Sequence, residues 1–94
     1  MSNAEIIIEQ NIDADTLKAR AVYSWPIWEK EVSTFPWTYD ANKACYFLEG
    51  DVIVTPEGGD PVRMGKGDFV RFPAGMSCVW AIRSAVKKHY YFDF

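Results

Sequence analysis

The side chains able to do chemistry in this 94-residue chain cluster in its second half. Along "KACYFLEG" (43–50), Lys43, Cys45 and Phe47 fall on one face if the segment is extended. Along "SCVWAI" (77–82), Cys78, Trp80 and Ile82 do the same. Tyr39 precedes the first run, and His89, the single histidine, follows the second. A lysine drawn into an apolar interior binds an anionic group, or loses its proton and becomes a proton acceptor. An imidazole is the natural acid–base group near neutral pH. The catalytic candidates are therefore Lys43, His89 and Tyr39. Each has a plainer alternative. Lys43 can snorkel to solvent, and His89 can serve the structure alone. Tyr39 and Tyr91 can fill the core with their hydroxyls at its rim. Trp37 and Trp80 either pack or stack on a ligand. Cys78 has no activating neighbour in sequence, so it reads as a small inward apolar residue rather than a nucleophile.

The elements that must carry these residues are short strands. "EIIIEQ" (5–10) is a β-branched run suited to an edge strand. "DADTLKAR" (13–20) predicts one or two helical turns with Asp13 as N-cap. Pro26 and Pro36 forbid a long helix over 24–40, leaving extended chain with at least one edge strand. Residues 43–50 and 51–56 read as two strands joined by a sharp bend or a hairpin at Gly50. "EGGD" (57–60) is a turn, and a short strand in "PVRMGKGD" leads to a second turn. "FVRF" (69–72), 77–82 and 86–94 complete the strands, with "PAG" (73–75) opening a turn between the first two. Many short strands separated by turns predict an all-β sandwich or barrel in one domain, 1–94.

Composition narrows the partners. Aromatic residues make up 16% of the chain, which suits a small, dense β core. The formal charge is −3 and no basic stripe is visible, so nucleic-acid binding is not expected. No apolar run approaches membrane-spanning length, and the start lacks a basic-then-apolar leader. Two cysteines outside any CxxC pair make no disulfide framework, and reduced, buried thiols suit a cytoplasmic protein.

Gly67, Pro73, Gly75 and Cys78 fall at the spacing Gly-x5-Pro-x-Gly-x2-His, with cysteine at the histidine position. "CYFLEG" ends at Gly50, and counting back through His-x-His-x3-Glu-x6-Gly places Trp37, Tyr39 and Lys43 at the two histidines and the glutamate. In these two motifs the chain resembles the cupins, small jelly-roll barrels. The stretch "WPIWEKEVSTFPWTYDANKACYFLEG" is similar to single-domain cupins grouped with the ureidoglycine aminohydrolase cupin domain. The resemblance spans about 21–94 and implies a cupin-type jelly-roll barrel with a short N-terminal helical turn. It also implies a homodimer, since exposed edge strands gain cover from a second copy.

The resemblance further implies a metal at four positions that here read Trp37, Tyr39, Lys43 and Cys78. Tryptophan has no lone pair to give, a protonated lysine repels a cation, and tyrosine and cysteine ligate only after losing a proton. The usual Mn, Fe, Ni or Zn centre is therefore not expected, and no cofactor is. A nonstandard zinc set of Cys45, Cys78 and His89 is the alternative, should the three converge. The expected activity is binding of a small polar or anionic metabolite by Trp37, Tyr39, Lys43, Cys45, Cys78, Trp80 and His89. The alternative is an enzyme on that metabolite: a metal-free isomerase or epimerase, or a ureide aminohydrolase. In "WPIWEKE" the two tryptophans, Trp25 and Trp28, are expected to cover the barrel and its dimer partner. Glu29 and Lys30 both lie near the cavity mouth, and alternation lets only one of them face it.

Overall fold

Two long strands organise the chain, and neither was apparent as a single element in the sequence. A computed structural model describes residues 6–92. The elements in order are β1 (Ile7–Glu9), α1 (Ala14–Ala19), a 3-10 turn (Val22–Ser24), β2 (Ile27–Lys30), β3 (Ser33–Thr38), β4 (Lys43–Pro56), β5 (Val62–Gly65), β6 (Phe69–Phe72) and β7 (Ser77–Phe92). Glu5, Asp93 and Phe94, read from sequence as strand residues, lie outside the described residues.

The seven strands form one antiparallel sheet with the path β1-β6-β4-β7-β2, while β5 pairs with β4 and β3 with β7. Each long strand serves two neighbours. The first part of β4 pairs with β6 and its second part with β5. β7 pairs with β3 near its start and with β2 near its end. The sheet is curled but not closed, so the expected barrel is an open one. The architecture is mostly strand, with one short helix and a 3-10 turn.

The predicted break at Gly50 is instead a bulge. The β4–β7 register shifts three times between Phe47 and Val52, yet the strand continues to Pro56. Gly50 has φ 124°, a region that favours glycine, and a Cβ there would lie 2.8 Å from Val86 Cγ2. The bulge also changes the parity of the inner face. Before it the core takes Cys45 and Phe47, and after it Val52 and Val54. β7 keeps one parity throughout, sending Cys78, Trp80, Ile82 and Val86 inward.

The outer face of β4 and β6 is covered by the N-terminal segment. Leu17, Val22 and Trp25 pack there on Ala44 and Phe69. Asp13 caps α1, its Oδ1 accepting from the Thr16 backbone N–H at 2.7 Å. Arg20 then reaches back to Glu9 of β1 through two hydrogen bonds of 2.8 and 3.1 Å, and Arg71 of β6 adds a third at 3.2 Å. These contacts hold the Glu9 carboxyl below its ordinary value, the Arg20 hydrogen bond contributing most. No helix among the described residues is long and apolar enough to cross a membrane.

Candidate functional site

The candidate site lies inside the curl, where the even positions of β7 face β2, β3 and the start of β4. A cavity of about 160 Å³ opens there. Trp28, Phe35 and Trp80 form one wall, and Trp37, Tyr39, Tyr90 and Phe92 surround the other end. Two lysines complete the lining, Lys43 from β4 and Lys88 from β7. Strand register explains the meeting. Lys43 pairs with Phe92, and Phe47, two inward positions further on, pairs with Lys88.

Both lysines are buried, Lys43 at 8% and Lys88 at 1% exposure. Aromatic rings take the place of counter-ions. The Lys43 Nζ lies 5.6, 5.7, 5.2 and 5.1 Å from the ring centres of Trp37, Tyr39, Tyr90 and Phe92. Each ring face attracts the ammonium electrostatically. Lys88 Nζ lies 4.5 Å from Trp80 and 4.9 Å from Trp28, and donates to Cys45 Sγ at 3.1 Å. Among the described residues no carboxylate lines this cavity and neither ammonium has an ion pair. Burial, reinforced by the like charge of Lys88, lowers Lys43 to about 8. The electron-rich Cys45 acts weakly in the opposite sense.

Tyr39 is fixed from both its ends. Its backbone N–H donates to Met76 O at 3.0 Å, and its carbonyl accepts from Gly75 N–H at 2.6 Å. The turn that makes this clamp needs Gly75 at φ 83°, which gives the second glycine of the motif its reason. The ring stacks on Phe72 with centroids 4.7 Å apart, and its hydroxyl accepts from Trp80 Nε1 at 3.1 Å. Burial raises the Tyr39 hydroxyl well above its ordinary range, so it stays protonated and remains a hydrogen-bond donor.

The remaining sequence candidates are placed elsewhere. Cys45 stands behind the cavity, against Lys88. Cys78 pairs with Trp37 across β3 and β7, and its thiol donates to the Trp37 carbonyl at 3.6 Å. Burial pushes the Cys78 thiol up, which keeps it a thiol. His89 faces the other side of β7. Its Nδ1 donates to the Trp25 carbonyl at 2.9 Å and its ring meets Tyr23 edge-on. Tyr91 shares that side, stacked on Trp25. His89 and Tyr91 therefore do not face the cavity, because side chains alternate and Lys88, Tyr90 and Phe92 take the inner positions. Of Glu29 and Lys30, Lys30 shares the face of Trp28 and lies 5.7 Å from the Phe35 ring.

The zinc set of Cys45, Cys78 and His89 does not assemble, since His89 lies across the sheet from both thiols. Among the described residues no three His, Cys, Asp or Glu side chains converge to hold a metal ion. Trp37, Tyr39 and Lys43 do line one cavity, but an indole, a hydroxyl that keeps its proton and an amine in an aromatic cage do not fit a cupin metal.

Lys88 was missed from sequence. Reading 77–92 as one strand would have found it, because the parity of Trp80 continues to Lys88 and excludes His89. Trp28, Phe35, Tyr90 and Phe92 were not anticipated as lining residues for the same reason: strand pairing over long separations decides which rings meet.

An open, curled antiparallel sheet with glycine turns at the motif positions and an inward-facing site defines a cupin. Over residues 17–90 the chain matches the EutQ-like cupin domain, and it belongs to that family. A DUF861 family protein from Thermotoga maritima has a similar structure, with 49% identity and a TM-score of 0.90 over 94% of this chain and 99% of that one. A putative ethanolamine utilization protein Q from Salmonella typhimurium is 26% identical, with a TM-score of 0.62 over 68% of this chain. The match spans about half of the Salmonella chain, 51%. The Clostridium difficile EutQ protein, 16% identical with a TM-score of 0.64 over 97% of this chain and 71% of that one, shares the fold. No curated protein gives a match.

Proposed function

We propose that this cupin is a metal-independent binding module for a small organic anion. The observation that carries the reading is the pair of buried ammonium groups, Lys43 and Lys88, in an aromatic-walled cavity that no described carboxylate faces. An anion entering that cavity meets two positive charges in a low-dielectric setting, where attraction is stronger than in water. A cavity of about 160 Å³ matches the scale of a site that takes benzene, so the ligand has roughly six non-hydrogen atoms. The aromatic walls suit an apolar edge, and the Tyr39 hydroxyl suits a hydrogen-bond acceptor.

A thermal-shift series tests the reading. Small carboxylic acids should raise the melting temperature of the protein, transition metals should not, and Lys43→Ala should weaken the response to the acids. Stabilisation by a metal alone, or an unchanged acid response in Lys43→Ala, would remove the proposal.

An enzyme acting on the same metabolite is a second reading, and one observation favours it. Lys43 at about 8 is close enough to neutrality to serve as a proton acceptor in an isomerase-like step. Ureide hydrolysis fits less well, because Trp37, Tyr39, Lys43 and Cys78 do not provide a metal's ligands. We also propose a cytoplasmic homodimer. The free thiols Cys45 and Cys78 suit a reducing compartment. The sheet path ends at β1 and β2, where Ile7 and Ile27 are half exposed at 50% and 47%.

A further inference from the structure

We propose that Lys43 forms an imine with a small 2-oxo acid bound in the cavity, while Lys88 holds the acid's carboxylate. This deepens the anion-binding reading and rests on it. Binding one carboxylate calls for one cation, yet the cavity contains two lysines in different settings. Lys88 is anchored by its hydrogen bond to Cys45 Sγ and by Trp28 and Trp80. Lys43 has no described hydrogen bond: four rings surround its Nζ, and Lys88 and Cys45 act on it only through their charge. The first arrangement suits a fixed charge, and the second suits an amine free to react.

Three features favour reaction at Lys43. Burial beside a second cation is the setting that turns a lysine into a nucleophile at neutral pH. The aromatic walls restrict water, which favours the dehydrated product over the carbonyl. The Tyr39 hydroxyl lines the same cavity, and it is occupied only as an acceptor from Trp80, so its proton can polarise a carbonyl oxygen.

The step balances without a co-reactant. The neutral Lys43 amine adds to the carbonyl carbon, forming the C–N bond, and the C=O π pair moves onto oxygen. One amine hydrogen reaches that oxygen to give the carbinolamine. The C–O bond then breaks, and the second amine hydrogen leaves with the oxygen as water. The product is a C=N bond to Nζ, with no net oxidation or reduction. Pyruvate, with six non-hydrogen atoms, is an acid of the right size.

The test is reductive trapping of the full chain with pyruvate and cyanoborohydride, read by peptide mass mapping. Lys43 should gain the mass of the acid less one oxygen atom. At pH 7 an amine with a pKa of about 8 is neutral on the order of a hundredfold more often than an ordinary lysine, so Lys43 should label well ahead of the surface lysines. Lactate, which lacks the carbonyl, should slow the labelling by competition. Lys88→Met should slow it with pyruvate by a clearly larger factor than with a simple aldehyde, which loses only the effect of the Lys88 charge on the Lys43 amine. If pyruvate and lactate raise the melting temperature equally and no adduct forms on Lys43, the imine is excluded while anion binding stands. If neither acid changes the melting temperature and no adduct forms, both readings fall. Labelling confined to surface lysines, or equal labelling by pyruvate in Lys88→Met, would also overturn the proposal.

Discussion

Lys43 carries an energetic cost that the apolar side chains around it do not share. In the folded chain its ammonium is desolvated and faces Lys88, with Cys45, Tyr39 and Tyr90 as its other titratable neighbours. Its folded value of about 8 lies below the unfolded value of roughly 10.4. Between those two values the unfolded chain binds more protons, so this group makes stability rise with pH. Lys43→Met should therefore stabilise the ligand-free protein below pH 8, by about 1–3 kcal/mol once the lost cation–π contacts are set against the relieved charge. The gain should fade as pH approaches roughly 10. Urea melts of both proteins across this range would check it, and a variant less stable than the parent at pH 7 would contradict it. Lys43 was legible as the unusual residue because counting back from Gly50 puts it at the glutamate position of the first motif. Lys88 was not, because "KKHYY" offers two lysines and a histidine, and only strand parity says which of them points inward.

At the scale of elements, the bulge at Gly50 matters most. It lets β4 change its inward parity while staying paired with β7, so Cys45 and Phe47 on one side and Val52 and Val54 on the other reach one core. Gly50→Ala would strain a backbone at φ 124° and press its Cβ against Val86. It should cost roughly 1–3 kcal/mol or more, measured by chemical denaturation. A loss within ±0.5 kcal/mol, as at an ordinary surface site, would count against this account. The sequence announced Gly50 as a break, because a glycine after an apolar run signals a turn. It could not show that the ladder resumes, since pairing with a strand some thirty residues away leaves no local signature. The same limit led the sequence reading to divide the single strand Ser77–Phe92 into 77–82 and 86–94. By contrast, the glycine and proline spacing at 67–75 and the Asp13 cap were legible, because turns and caps are fixed by neighbouring residues.

The whole molecule is a small curled sheet whose charged groups are divided between its surface and one cavity. A domain of this size hides only about 60–65% of its unfolded surface, and it places two uncompensated ammonium groups inside nonetheless. Buried charges without an ion pair cost stability, and the proposed anion would offset that cost on binding. The open edges at β1 and β2, with Ile7 and Ile27 exposed, lead to the dimer proposed above. Light scattering should give twice the chain mass of 10.8 kDa, and Ile27→Lys should shift the equilibrium toward the single chain. A monomer at all concentrations would contradict that part of the account.

The most direct test of the central claim compares lactate with lactamide by titration calorimetry at pH 7. The two are alike in size and shape and differ chiefly in charge, so they isolate the contribution of the buried lysine pair. Lactate should bind with a measurable heat and lactamide should not. Equal binding of both, or of neither, would mean that the two ammonium groups do not form an anion site.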